Sequence, residues 1–144
     1  MTTARDGLIR CVGAVIHDQD GRLLLIRRAT EPGRGLWSIP GGRVLAGEPD
    51  AAAVRREVQE ETGLLVAVGV LLGSVRRRAP AGGVFDIHDY AAQVIGGALR
   101  PGDDANEARW VTAGEYSGLE IVAGLTESLR EWCALPADTG PAPG

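Results

Sequence analysis

The chain of 144 residues contains no lysine; all fifteen of its basic residues are arginine. Chemistry that needs a lysine amine, such as a Schiff base, is therefore excluded. Only two cysteines are present, Cys11 and Cys133, far apart and each inside an apolar-patterned segment. That pattern predicts two buried free thiols in a reducing compartment rather than a disulfide or a metal pair. No stretch approaches the ~18 apolar residues of a membrane-spanning helix, and the N-terminus lacks an apolar core of secretory type. The formal charge of −4 gives no overall attraction to nucleic acid or to an anionic membrane. Internal repeats are also missing. A single domain over residues 1–135, a disordered tail over 136–144 and a cytoplasmic location are the expectations.

What is present is concentrated between Gly42 and Leu64, read as GRVLAGEPDAAAVRREVQEETGL. A glycine-rich turn at Pro40, Gly41 and Gly42 leads into a segment of helical composition carrying Glu57, Glu60 and Glu61. Spacings of i, i+3 and i+4 place these carboxylates on one helix face, with Ala53 among them and an apolar stripe of Ala51, Val54 and Val58 beside them. In water such like-charge spacing costs only a few tenths of a kcal/mol, so a solvated acidic face is one reading. Within a cleft of effective dielectric near 20, carboxylates ~5 Å apart repel by roughly 3 kcal/mol per pair. A hard divalent cation such as Mg²⁺ or Mn²⁺ relieves that repulsion, and this is the other reading.

Counted from Gly42, the segment is G-x5-E-x7-R-E-U-x-E-E-x-G-U without a departure, U being aliphatic. Seven fixed polar or glycine positions at about 6% usage each coincide by chance at roughly 10⁻⁹ per start position. The stretch resembles the Nudix box. Resemblance to that family implies an α/β fold, an α/β/α sandwich around a central mixed sheet, and hydrolysis of a nucleoside diphosphate linked to another group. It implies that Glu57, Glu60 and Glu61, with the Gly42 carbonyl, hold Mg²⁺ or Mn²⁺. It further implies that Arg56 organises the carboxylates, that Glu48 supports the loop, and that Gly63 turns the chain at the helix end. Where the family pattern often has Ser or Thr after the first glutamate, this chain has Pro49. Proline suits the first helical position, which puts Glu48 at the cap and Asp50 at the positive end of the dipole.

Outside the box, Leu8–His17 reads as a strand, and a turn at 18–21 returns it as Arg22–Arg28, a hairpin. A short strand at Leu36–Ile39, strands over Leu65–Arg78, Val84–Ile95 and Glu107–Val111, and a final helix over Leu119–Leu135 complete the reading. Arg27, Arg28 and Arg34 flank the loop before the glycine turn and are candidates for phosphate contact, against solvated strand-edge arginines. Arg76, Arg77 and Arg78 read as a solvated strand end. Trp37 is weighed between base stacking and packing, with packing favoured; Trp110 and Trp132 read as core, and His17 as structural. Asp86, His88 and Tyr90 share one strand face that could line a substrate cleft. Asp103, Asp104 and Glu107 form an acidic segment; family members often bring a further carboxylate from this region, which makes Asp104 and Glu107 candidates for an extra ligand or general base. Pro80, separated from Leu64 by fifteen intervening residues, is a weak marker of the ADP-ribose-hydrolysing branch of the family.

The resemblance makes the first reading a metal-dependent pyrophosphohydrolase for an ADP-ribose-like or nucleotide-sugar substrate. A (d)NTP or oxidised (d)NTP pyrophosphatase is the second reading. A nucleotide-sensing module without hydrolysis is the alternative from another class, and the complete set of four box glutamates stands against it. A small-molecule nucleotide is the expected partner, with no nucleic-acid polymer and no membrane; homodimers are common in the family.

Overall fold

The computed structural model describes residues 7–100 and 105–138. In chain order these form β1 (Leu8–Ile16), β2 (Leu23–Arg28), β3 (Trp37–Ser38), β4 (Gly41–Arg43), α1 (Asp50–Thr62), β5 (Leu64–Arg78), β6 (Val84–Gly97), β7 (Ala105–Val111), α2 (Ala113–Ser117) and α3 (Leu125–Glu131). Two sheets carry the strand orders β4-β1-β6-β5 and β3-β2-β7. The β1–β6 pair is parallel and the other pairs are antiparallel, so the larger sheet is mixed.

Strand alternation divides the core between two faces. Val12, Ala14 and Ile16 of β1 and Leu24 of β2 pack with Ala53, Val54 and Val58 of α1. Their alternates Val15, Leu23 and Leu25 pack with Trp37, Val111, Tyr116 of α2 and Leu125 and Leu129 of α3. Helices thus cover both faces of the strands in an α/β/α sandwich. A third cluster of Ile9, Cys11 and Ala79, with Phe85 and Ile87 against it, continues the second face beyond α3.

Several sequence expectations change here. β1 and β2 do not form a hairpin; they enter different sheets, and an isolated bridge between His17 and Leu23 links the two segments. Adjacency in sequence favours a hairpin, but β1 gains more by pairing with β6 over nine positions. Of the one or two strands expected over this stretch, β5 is a single strand of fifteen residues; its glycines fall at register shifts between Val68 and Gly73. The final helix shrinks to Leu125–Glu131, and α2 forms ahead of it. A capping box explains α2: the Thr112 hydroxyl accepts from the Glu115 N–H, and the Glu115 carboxylate accepts from the Thr112 N–H. The T-x-x-E spacing was visible in the sequence. Cys133 is exposed, whereas Cys11 is buried and burial pushes its thiol up to about 11. Residues 139–144 of the tail lie outside the described residues, but Ala137 is held, its N–H donating to the Gly21 carbonyl at 2.9 Å.

Candidate functional site

The site begins with how α1 starts and stops. Pro49 is the N-cap, with extended backbone, and the helix opens at Asp50. Proline therefore stands one position earlier than expected, and Glu48 does not cap the helix. Its carboxylate instead accepts from the Leu45 N–H at 3.0 Å and from Arg56, closing the loop that leads into the helix. At the other end Gly63 takes φ 78°, a left-handed conformation open to glycine, and its N–H returns to the Gln59 carbonyl. Between these ends, Ala53, Val54 and Val58 are fully buried and fix which way the charged side chains face. Ala53 belongs to that packed stripe rather than forming a gap in the acidic face.

Arg56 is the hub of the charged side. Its Nε and Nη2 donate to the two Glu48 oxygens at 2.8 and 2.9 Å, Nη1 donates to Glu57 at 2.7 Å, and Nη2 also reaches the Arg43 carbonyl at 2.9 Å. Glu60, one turn on, lies 3.6 Å from Nη1. A planar guanidinium fork can serve four acceptors in fixed directions, which a lysine amine cannot. The Glu48 carboxyl is held down to about 2 by the Arg56 hydrogen bonds, and the Arg56 guanidinium is held charged by Glu48 in turn.

Two of the acidic side chains close on the glycine turn. The Glu61 carboxylate, 5% exposed, accepts from the Gly41 N–H at 2.7 Å. The Glu57 carboxylate lies over the Gly42 Cα, so a Cβ at Gly42 would meet its oxygens at 2.6 and 2.7 Å. Only a residue without a side chain permits that approach. Glu60 faces outward, 57% exposed. Among the described residues no three acidic, histidine or cysteine side chains converge as a ready metal cage. The side-chain donors at the turn are nonetheless hard oxygens, the Glu57 and Glu61 carboxylates against Gly42 and Gly41 with Glu60 beside them on α1, and this chemistry fits a divalent cation of the Mg²⁺ class.

The remaining candidates separate by face. Asp86, His88 and Tyr90 do share the α1 side. His88 Nε2 lies 3.2 Å from Asp86, Tyr90 donates to Asp50 at 2.6 Å, and Arg10 donates to the same Asp50 oxygen at 2.6 Å. This polar strip therefore abuts the start of α1. Glu107 and Arg27 do not join it. They stand directly opposite each other on β7 and β2, 3.5 Å apart, and directly opposed residues share a face. That face is the α3 side, because Val111, two alternations on, packs there, whereas Trp110 packs toward α1. Glu107 is thus not brought to the box carboxylates. Trp37, 6% exposed, is core: the Arg109 guanidinium covers its ring at 5.3 Å, which removes it from the stacking role. Arg34 is exposed in its loop, with its N–H on Glu31. Asp103 and Asp104 lie outside the described residues.

An α/β/α sandwich that presents a carboxylate-bearing helix against a double-glycine turn defines the class. The NUDIX domain family model matches residues 7–133, and the chain belongs to the Nudix family. It is similar to an ADP-ribose pyrophosphatase of Methanocaldococcus jannaschii, 45% identical over 97 residues, which cover 66% of this chain and 57% of that protein. An 8-oxo-(d)GTP phosphatase of Mycolicibacterium smegmatis is 35% identical over 103 residues, covering 72% of this chain and 32% of its own length. The match thus spans just over half of one of these relatives and a third of the other. Among solved structures, a MutT NUDIX hydrolase from Burkholderia pseudomallei superposes with a TM-score of 0.75 at 29% identity, covering 85% of this chain and 96% of that one.

Proposed function

We propose that the protein is a metal-dependent pyrophosphohydrolase acting on a nucleoside diphosphate linked to a further group. The observation that carries this reading is the Arg56 fan, which gathers Glu48, Glu57 and Glu60 beside the turn that Glu61 closes. So many carboxylates held at one glycine turn serve no packing need, since Val54 and Val58 already fix the helix. Glu57, Glu60 and Glu61, with the Gly42 carbonyl, would hold Mg²⁺ or Mn²⁺. When bound, such a cation neutralises the diphosphate and supplies a metal-activated water.

The protein's own part is positioning. Arg56 keeps Glu48 ionised and aims both Glu48 and Glu57, and Glu48 in turn fixes the loop through the Leu45 N–H. The hydrolytic proton passes to a box carboxylate rather than to Glu107, which faces the other side of the sheet. Glu60 suits that role, being the most exposed of the three carboxylates around Arg56 and the least tightly held by it. The strip of Asp86, His88 and Tyr90, which abuts the start of α1, would border the substrate.

An ADP-ribose-like or nucleotide-sugar substrate is the first reading, in keeping with the name of the archaeal relative. A (d)NTP or its oxidised form is the second, favoured by the name of the mycobacterial one. The site sits in a chain that works in the cytoplasm on small nucleotides; no helix among the described residues is long and apolar enough to cross a membrane. The test is nucleotide or phosphate release from ADP-ribose, nucleotide sugars and (oxidised) NTPs with Mg²⁺, Mn²⁺ or EDTA. Turnover abolished by EDTA and by Glu60→Gln supports the reading. Full metal-dependent activity in Glu60→Gln sinks the residue assignment, and nucleotide binding without turnover sinks hydrolysis.

A further inference from the structure

The helix that carries the box acids is charged against its own dipole. Glu57, Glu60 and Glu61 all lie in the C-terminal half of α1, toward the negative end of the dipole, and the last turn holds no basic residue. Like charges and open carbonyls both favour fraying of such a turn, and helix ends open more readily than helix middles. Yet this turn has to be well fixed. Glu61 reaches from it to the Gly41 N–H at 2.7 Å, and Glu60, 57% exposed, is steadied loosely by Arg56 Nη1 at 3.6 Å.

A stronger hold comes from another element. The segment that follows β6 closes over the end of α1, where the Arg100 N–H donates to the Thr62 carbonyl at 2.7 Å. The Gly63 N–H donates to the Gln59 carbonyl at 2.9 Å, so two of the carbonyls a helix end leaves open are filled. The Arg100 side chain lies along Gly63: a Cβ there would stand 2.9 Å from Arg100 Cγ and 3.3 Å from its Nε. The Ala98 carbonyl crowds the same position, so the bare Cα of Gly63 is what lets residues 98–100 close down. Arg100 is an exposed residue, and core packing does not account for the contact. It brings a cation to the carbonyl end of the helix, which the last turn itself does not supply.

We propose that Arg100 is a positioning residue of the metal site: it clamps the last turn of α1 so that Glu60 and Glu61 are in place before the cation arrives. This rests on the metal reading given above. A turn ordered in advance raises metal affinity, because binding no longer has to order it. Arg100 is also positive, and by charge alone it would oppose a cation. The two effects have opposite signs, so the direction of the change in affinity decides between them.

Wild type, Arg100→Ala, Arg100→Met and Arg100→Lys are compared at a temperature where far-UV circular dichroism shows them folded. Amide hydrogen exchange in EDTA reads the turn, and titration calorimetry with Mn²⁺ reads the site. In Arg100→Ala the amides of Glu60, Glu61 and Thr62 should exchange about 3- to 10-fold faster, while the middle of α1 keeps its protection. Mn²⁺ should bind that variant more weakly by a similar factor, and added Mn²⁺ should restore the lost protection. Arg100→Lys, with a stem and a charge, should recover most of both; Arg100→Met, with the stem alone, should fall between and carries the comparison if Arg100→Ala does not fold. Unchanged Mn²⁺ affinity in Arg100→Ala, even with a lower melting temperature, makes Arg100 an ordinary stabilising contact and overturns the proposal. Tighter Mn²⁺ binding makes it a competing charge and overturns it as well. If the wild type binds no Mn²⁺ while Arg100→Ala still loses protection, the metal reading is what fails, and the clamp is left as a structural contact.

Discussion

The two faces of the larger sheet treat a buried carboxylate in opposite ways. On the α1 face, Glu48 accepts from Arg56 through both oxygens and from the Leu45 N–H, and its carboxyl is held down to about 2. On the α3 face, Asp89 is enclosed by glycine, isoleucine and tryptophan, with an oxygen that nothing satisfies, and it is pushed up to about 6. One acid is hydrogen-bonded by an arginine and an amide; the other has no donor on its Oδ1, and His88 and Arg77 act on it only through their charge. A charge the fold compensates serves geometry, as Glu48 does for the box loop.

The largest expected effects lie on the compensated side. Glu57→Gln should lower kcat by about 100-fold or more at saturating Mg²⁺, as removal of a group that orders transition-state charge does. Steady-state kinetics of the released nucleotide would check this. Arg56→Gln leaves Glu48 and Glu57 close together without their shared cation, which should destabilise the fold by about 2–4 kcal/mol. Urea unfolding would measure it, and a loss below about 0.5 kcal/mol would show that the fan is a surface pair. Gly42→Ala places a methyl group on the Glu57 carboxylate and should cost about 1–3 kcal/mol, with weaker Mn²⁺ binding by titration calorimetry.

The pH dependence of stability should show both carboxylates with opposite signs. Glu48 has a folded pKa below its ordinary 4.5, so its contribution is complete above that pH and is lost as pH falls toward about 2. Asp89 has a folded pKa above its ordinary 3.8, so the unfolded chain releases this proton first. Stability then falls as pH rises from about 4 to about 6, by an amount on the order of 2 kcal/mol. Asp89→Leu should flatten that interval in urea titrations at a series of pH values while leaving the loss near pH 3 in place. The smallest effect is expected far from either acid, where Thr112→Ala removes the α2 capping box at a cost of about 1 kcal/mol.

The box was legible because its information is local. Glu57, Glu60 and Glu61 lie within five residues, and helix periodicity alone puts them on one side. The Arg56–Glu60 spacing could be read in the same way, but Glu48, eight residues upstream of Arg56, proves the closer partner. Whether a loop folds back onto its helix is a tertiary matter. Strand faces were legible only within a strand. Asp86, His88 and Tyr90 were placed together correctly, while Glu107 and Arg27 needed the β2–β7 register to show that they face away from α1. The buried, donor-less position of Asp89 was invisible for the same reason. Its isolation comes from Gly13, Gly41 and Gly73, which lie on three other strands and align with it only through pairing.

The most direct test is Mn²⁺ binding and Mn²⁺-dependent hydrolysis of the nucleotide panel, measured on the same preparations of wild type, Glu57→Gln and Glu61→Gln. Tight Mn²⁺ binding and turnover in the wild type, both lost together in each variant, is the result expected if the helix carboxylates hold the metal at the glycine turn. Turnover that survives in both variants, or Mn²⁺ binding that neither one weakens, would contradict it.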